Sequence, residues 1–136
     1  IVQIENEDNS EKALQEMCNY VESLIKSLGI SYRKLLLCAG DLGFASSITY
    51  DFEVYAPGQK RCLECSSVSN FKTYQSNRMN LKIRDGKNKV LANTLNGSAL
   101  ALPRIVAAIL ETHQNGNEIN IPKVLHKYTG FKKINL

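Results

Sequence analysis

A chain of 136 residues with 43% hydrophobic content and a net charge of +4 is sized for one globular domain, or part of one, with an ordinary core. A pI near 8.9 permits a polyanionic partner without requiring one. No apolar run is long enough for a secretory signal or a membrane span, so no membrane partner is expected, and the four cysteines read as reduced thiols of a cytoplasmic protein.

The chain opens with Ile1-Val2-Gln3-Ile4, a short strand that needs a neighbour and reads as the interior of a longer polypeptide. Asn9 or Ser10 is placed to cap a helix from about Glu11 to Leu28. Its core stripe is Leu14, Met17, Cys18, Val21, Leu24, Ile25 and Leu28, and Gly29 supplies the stop. Leu35 to Cys38 is a short buried strand, and Ala39 to Phe44 a glycine-bearing loop. Thr49 to Tyr55 alternates with period two, turns at Ala56-Pro57-Gly58, and returns antiparallel from Arg61 to Ser67. Phe71 to Met79 reads as a short helix after the cap candidate Asn70. Leu81 to Arg84 and Lys89 to Leu95 flank the hairpin signal Asp85-Gly86. A helix follows from Pro103 to His113, with Pro in its first turn and an apolar circumference from Ile105 to Leu110 that predicts burial. Gln114 to Asn120 reads as a polar connection and Pro122 to Tyr128 as a last helical turn. The fold class is α+β, an antiparallel sheet flanked by helices.

Charge is unevenly placed. Residues 1–28 carry Glu5, Glu7, Asp8, Glu11, Glu16 and Glu22 against Lys12 and Lys26. Between 72 and 89 the balance reverses, with Lys72, Arg78, Lys82, Arg84, Lys87 and Lys89 against Asp85 alone. Such a cluster is either a solvated surface or a contact for nucleic acid. Cys62 and Cys65 form a single C-x-x-C on a strand, which points the two thiols to opposite faces, so both read as packing residues rather than a metal or redox pair.

Strand alternation sorts the polar residues into faces: Asp51 with Glu53, Glu64 with Ser66, and Asn96 with Ser98. Polar rows on adjacent strands describe either a solvent-facing sheet or a wet cleft. Arg104 stands at the start of an apolar helix, where the macrodipole disfavours a free cation by roughly 0.3–1 kcal/mol. It needs an anion, an internal carboxylate or a bound phosphate. Glu64 with the hydroxyls of Ser66 and Ser67 suits Mg2+, a hard cation that takes oxygen ligands and shares its shell with phosphates and water. An arginine opposite holds polyphosphate bidentately. The set fits a magnesium–nucleotide site, although Gly40 to Gly43 matches neither the Walker nor the Rossmann phosphate loop.

The ordered segments Leu37-Cys38-Ala39-Gly40-Asp41-Leu42-Gly43-Phe44, Thr49-Tyr50-Asp51-Phe52-Glu53-Val54, Glu64-Cys65-Ser66-Ser67, Arg78-Met79 and Thr94-Leu95-Asn96-Gly97-Ser98 through Arg104 resemble the seryl-tRNA synthetase family of class II synthetases. The ending at Ile121 to Leu125 and Tyr128 is similar as well. The resemblance implies that residues 1–136 are the C-terminal portion of the catalytic domain, after motif 2 and including motif 3. It also implies a class II antiparallel sheet flanked by helices and incomplete on its N-terminal side. Glu64, Cys65, Ser66 and Ser67 then correspond to the ATP-binding E-I-S-S segment, Glu64 and Ser67 holding Mg2+ and phosphates. Asn96 and Ser98 correspond to the serine pocket, and Arg104 to the catalytic arginine on the ATP γ-phosphate. The implied reaction joins L-serine to ATP as seryl-adenylate and passes the seryl group to tRNA(Ser), in a homodimeric full-length protein.

Some positions depart from the family pattern. Leu63 and Ile48 stand where a cation is usual, Asn77 replaces one arginine of Q-A-R-R-M, and Ala99 and Pro103 replace glycines. Lost cations are expected to weaken nucleotide or tRNA contacts, and they favour the alternative reading of a non-catalytic, synthetase-like binding module. Motif 1, motif 2 with its α-phosphate arginine, and the tRNA-binding arm have no counterpart in these residues, so the isolated chain is expected to be inactive.

Overall fold

The computed structural model describes every residue from Ile1 to Leu136. Five strands form the main sheet: β1 (Val2–Glu5), β2 (Tyr32–Leu36), β3 (Ile48–Ala56), β4 (Arg61–Asn70) and, after an excursion, β7 (Asn93–Gly97). Their spatial order is β1-β7-β4-β3-β2, and every pairing is antiparallel. Helices α1 (Glu7–Ser27) and α3 (Leu102–Thr112) cover one face. Met17, Val21 and Ile25 of α1 and Ile105 and Ala108 of α3 close over Phe52, Val54, Val68 and Leu95 of the sheet, each less than 5% exposed. The expected α+β class holds.

Six residues of the predicted α1 stripe are buried, but Leu24 is 42% exposed on the edge of that stripe, and the helix begins earlier. Asn6 is the N-cap, its Oδ1 accepting from the Asn9 N–H at 2.8 Å. Glu7 and Asp8 in the first turn suit the macrodipole. Ser10 is instead buried inside the helix, where its hydroxyl accepts from Asn93 Nδ2 at 3.0 Å and ties α1 to β7. Gly29, at φ +68°, ends the helix as expected.

The segment 89–95, read as one strand, is two. β5 (Lys82–Asp85) and β6 (Asn88–Leu91) make a separate hairpin, and the fully buried Ala92 marks the step into β7. Helix α2 (Tyr74–Met79) is shorter than predicted, and Asn70 accepts from the Lys72 N–H in a turn instead of capping it. The polar connection after α3 is a hairpin, β8 (Gln114–Asn115) with β9 (Glu118–Asn120), joined by β10 (Lys133–Asn135) after a 3-10 turn at Lys123–Leu125 and α4 (His126–Thr129). Periodicity is uninformative over strands of two or three residues.

Helix α3 is only half covered. Ile105, Ala108 and Ile109 are buried, whereas Leu102 and Val106 are 72% and 51% exposed, along a groove shared with Leu24, Val124 and Tyr128. An apolar circumference therefore did not mean burial on all sides. At the far end of α3, Glu111 accepts from the N–H groups of Gly58 and Gln59 and from Gln59 Nε2, pinning the β3–β4 turn.

A Cβ on Gly97 would lie 2.9 Å from Ser67 O and 3.0 Å from Val68 Cγ2 of the neighbouring β4. Gly97→Ala is expected to cost about 1–3 kcal/mol, seen as a lower urea midpoint at unchanged slope; an unchanged midpoint would show slack between the strands. The hydrogen bonds from Gln59 and Gly58 hold the Glu111 carboxyl below the usual carboxylate range. A depressed folded-state pKa adds stability above the unfolded value, which is lost as pH falls through the folded one. The amide signals of Gly58 and Gln59 should therefore move only below the normal carboxylate titration, and lose that response in Glu111→Gln.

Candidate functional site

Residues directly opposite one another in a sheet share a face. Thr49 lies opposite Ser69, Asp51 opposite Ser67, and Ser69 opposite Asn96. These side chains form the face turned away from α1 and α3, buried at its Thr49–Ser69 end and partly exposed at Asp51, Ser67 and Asn96. The alternate rungs, Phe52 with Ser66 and Val68 with Gly97, face the helices. The next rung breaks the alternation. Glu53 pairs with Glu64, leaving Cys65 as the extra residue of a β-bulge.

The bulge decides which side chains meet. It turns Glu64 onto the polar face with Ser67, while Cys65 and Ser66, each 1% exposed, both turn toward the helices. The expectation that Glu64 and Ser66 share a face is thereby overturned, because one inserted residue inverts the parity between them. Ser66 Oγ donates to Ser98 O at 2.5 Å, and the Ala101 N–H donates to Cys65 O at 2.6 Å. Burial pushes the Cys65 thiol up to about 11. These two residues fasten the 98–101 turn from behind. Cys62, opposite Tyr55, points to the other face from Cys65, as the spacing predicted.

Ser98 continues the polar row beyond β7. Its N–H donates to Ser67 O at 3.3 Å, and its hydroxyl accepts from the Ser67 N–H at 3.4 Å. Three residues after the Cys65–Ala101 bond, Arg104 projects from the uncapped first turn of α3. Its Nη1 donates to Glu64 O at 2.6 Å and stands 3.9 Å from Glu64 Oε1, both side chains about half exposed. The anion expected for Arg104 is therefore present but loosely engaged. So open a pair contributes about 0–1 kcal/mol, and most guanidinium donors stay available at the rim of the face. Glu53 is occupied separately, by Arg33 Nε at 2.5 Å.

The structure thus gathers Glu64, Ser67, Asn96, Ser98 and Arg104 around one open face. It also supplies residues that the sequence pattern did not single out. Ser46, Thr49 and Ser69 form a hydroxyl chain with 2.7 Å links, and Thr94 Oγ1 donates to Gln75 Oε1 at 2.8 Å. For Ser69 and Thr94 the signal was the row of small polar residues at every second position of β4 and β7; Ser46 and Gln75 lie outside the strands and had none. Asp51, already placed on the face by alternation, has a buried Oδ1 with no donor. An orphaned buried acceptor costs about 1–3 kcal/mol, so this oxygen marks a place for a cation or a donor. Leu63 and Ile48 pair with Val54 and Asn70 and pack against the core. The lost cations at these positions therefore fall on the side away from the polar face. No three His, Cys, Asp or Glu converge into a metal centre, and no helix is long and apolar enough to cross a membrane.

Residues 1–113 match the family described as tRNA synthetase class II core domain (G, H, P, S and T). The chain is 45% identical over 132 residues to a serine–tRNA ligase of Herminiimonas arsenicoxydans, covering 96% of this chain and 31% of that protein. It is 47% identical over 133 residues to one of Akkermansia muciniphila, with the same coverage. Among solved structures, seryl-tRNA synthetase from Pyrococcus horikoshii complexed with ATP superposes with a TM-score of 0.94 at 37% identity, over 98% of this chain and 31% of that one. The cytoplasmic serine–tRNA ligase from Naegleria fowleri in complex with AMP gives 0.90 at 31% identity, over 100% and 33%. The chain thus spans about a third of the length of its relatives. With the match running through the whole polar sheet and into α3, the chain belongs to the class II tRNA synthetase core-domain family.

Proposed function

We propose that these residues form the ATP- and serine-binding side of a serine–tRNA ligase, which activates L-serine with ATP to seryl-adenylate and transfers it to tRNA(Ser). The observation that carries this reading is the bulge at Cys65, which sets Glu64 and Ser67 on one face within reach of Arg104 and beside Ser98. The names of the relatives and the nucleotides in the two superposed structures support it.

In this reading Arg104 holds the γ-phosphate with the guanidinium donors that Glu64 leaves free, aided by the uncapped N-terminus of α3. Asn96 and Ser98 receive serine. Mg2+ fits the donor set, since hydroxyl and carboxylate oxygens face one way and Asp51 Oδ1 lacks a donor beside them. Glu64 and Ser67 would hold it, and its chemistry there is neutralisation of phosphate charge. No protein nucleophile is required: the serine carboxylate attacks the α-phosphorus, pyrophosphate leaves, and the side chains act by position and charge. In the complete ligase, tRNA(Ser) and a second copy of the protein are the partners, in a cytoplasmic setting consistent with four free cysteines. A binding module without catalysis is less well supported, because Leu63 and Ile48 leave the polar face untouched and Asn77 lies exposed on α2.

Two measurements test this. Arg104→Ala should weaken Mg–ATP binding by about 10- to 100-fold in calorimetry, as removal of a charge-assisted phosphate interaction worth ~1.5–3 kcal/mol requires; equal affinity would remove Arg104 from the site. The 136-residue chain by itself should show no serine-dependent ATP–pyrophosphate exchange, because the α-phosphate arginine of the family's second motif is not among its residues. Turnover would contradict this division of the site.

A further inference from the structure

The basic segment of residues 72–89 is a folded surface that the synthetase chemistry does not use. The end of α2 and the β5–β6 hairpin border an open, shallow groove of about 550 Å³. Lys82 and Arg84 of β5 and Lys89 of β6 line it with Met79, and no acidic residue does. Arg84 and Lys89 are paired across the hairpin, and Lys82 lies on the same face two residues along. None of the cations from Lys72 to Lys89 forms an ion pair with a carboxylate, although the chain forms such pairs elsewhere. Like charges gathered in a concavity raise its potential and lower the free energy of a polyanion bound there.

Helix α2, which ends at the groove, also carries an aromatic platform. Phe44, 92% exposed, meets Tyr74 edge-on at 5.9 Å, and the Arg78 guanidinium lies 3.5 Å from the centre of the Tyr74 ring. Arg78 is also held by Tyr74 O at 2.9 Å, so the stack is ordered. Its sequence neighbour Met79 lines the groove. Arg78 and Met79 are consecutive residues of α2, so the π-face and the row of unpaired cations meet at the C-terminal end of that helix. A charged track with a stacking face is the arrangement that binds a nucleic-acid strand: phosphates follow the cations, and an unpaired base covers the exposed ring.

We propose that this surface docks RNA, with the phosphate backbone along Lys82, Arg84 and Lys89 and an unstacked base on Phe44. The inference rests on the ligase reading only in naming the RNA as tRNA. The groove is separate from the polar sheet face, whose residues do not line it.

The test is fluorescence anisotropy of labelled tRNA(Ser) transcript titrated with the 136-residue chain, alongside Mg–ATP calorimetry on the same samples. The triple variant Lys82→Ala, Arg84→Ala, Lys89→Ala should bind the transcript about tenfold or more weakly, and its log–log salt slope should fall by about 0.7–0.9 for each phosphate no longer neutralised. Phe44→Ser should weaken RNA binding several-fold with little change in salt slope, and both variants should keep wild-type ATP affinity. A triple variant that binds as wild type does, or a wild type that binds ATP but not the transcript, overturns the proposal. So does heparin binding as tightly as the RNA with no effect of Phe44→Ser, which would reduce the groove to a generic anion patch. Loss of ATP binding in the wild type would instead count against the ligase reading, leaving the RNA result to be judged separately.

Discussion

One extra residue in β4 governs the arrangement of the site. With Cys65 bulged out of register, Ser66 falls opposite Phe52 and Glu64 opposite Glu53, so a carboxylate and two hydroxyl-bearing residues are distributed over both faces of one strand. The outward pair, Glu64 and Ser67, is available to a ligand. The inward pair binds the backbone of the next element, through Ser66 Oγ to Ser98 O and Cys65 O to the Ala101 N–H. A bulge also increases local twist and bend, and here it does so where the chain must pass from β7 to α3.

That passage places Arg104. The 98–101 turn is held on one side by Ser67 and on the other by Cys65, and Gly97 allows β7 to approach β4 more closely than a Cβ would permit. Helix α3 is anchored at its other end by Glu111 on the β3–β4 turn. An arginine in the first turn of a helix fixed at both ends has little freedom in where its Cα lies, while its half-exposed guanidinium keeps its donors for an incoming anion. Rigid backbone with a loosely paired charge is what the proposed exchange of an internal carboxylate for phosphate would require.

The two faces of the sheet divide the labour. On the helix side, apolar residues from α1, α3 and the strands make the core and supply the stability. The open side carries hydroxyls, amides and carboxylates whose internal hydrogen bonds are few, apart from the Ser46–Thr49–Ser69 chain. The basic hairpin β5–β6 stands outside both layers as its own two-stranded sheet, and its charges are therefore unconstrained by core packing.

Much of this was legible in the amino-acid order. The α1 stripe, the β3–β4 hairpin, the opposite orientation of Cys62 and Cys65, and the order of motif-bearing segments follow from local periodicity, glycine and proline placement, and family resemblance. Local signals do not report pairing partners, and the corrections came from pairing. Whether Glu64 stands with Ser66 or with Ser67 depends on a register shift against β3, and whether Lys89 to Leu95 is one strand or two depends on Ala92 entering the core. The apolar circumference of α3 promised complete cover, yet only the face that meets the sheet has it. Sequence by itself determined which chemical groups the chain carries and roughly where along each element they lie. Tertiary structure alone decided which of them share a face, because face depends on parity, and one unpaired residue held by a neighbouring strand is enough to reverse it.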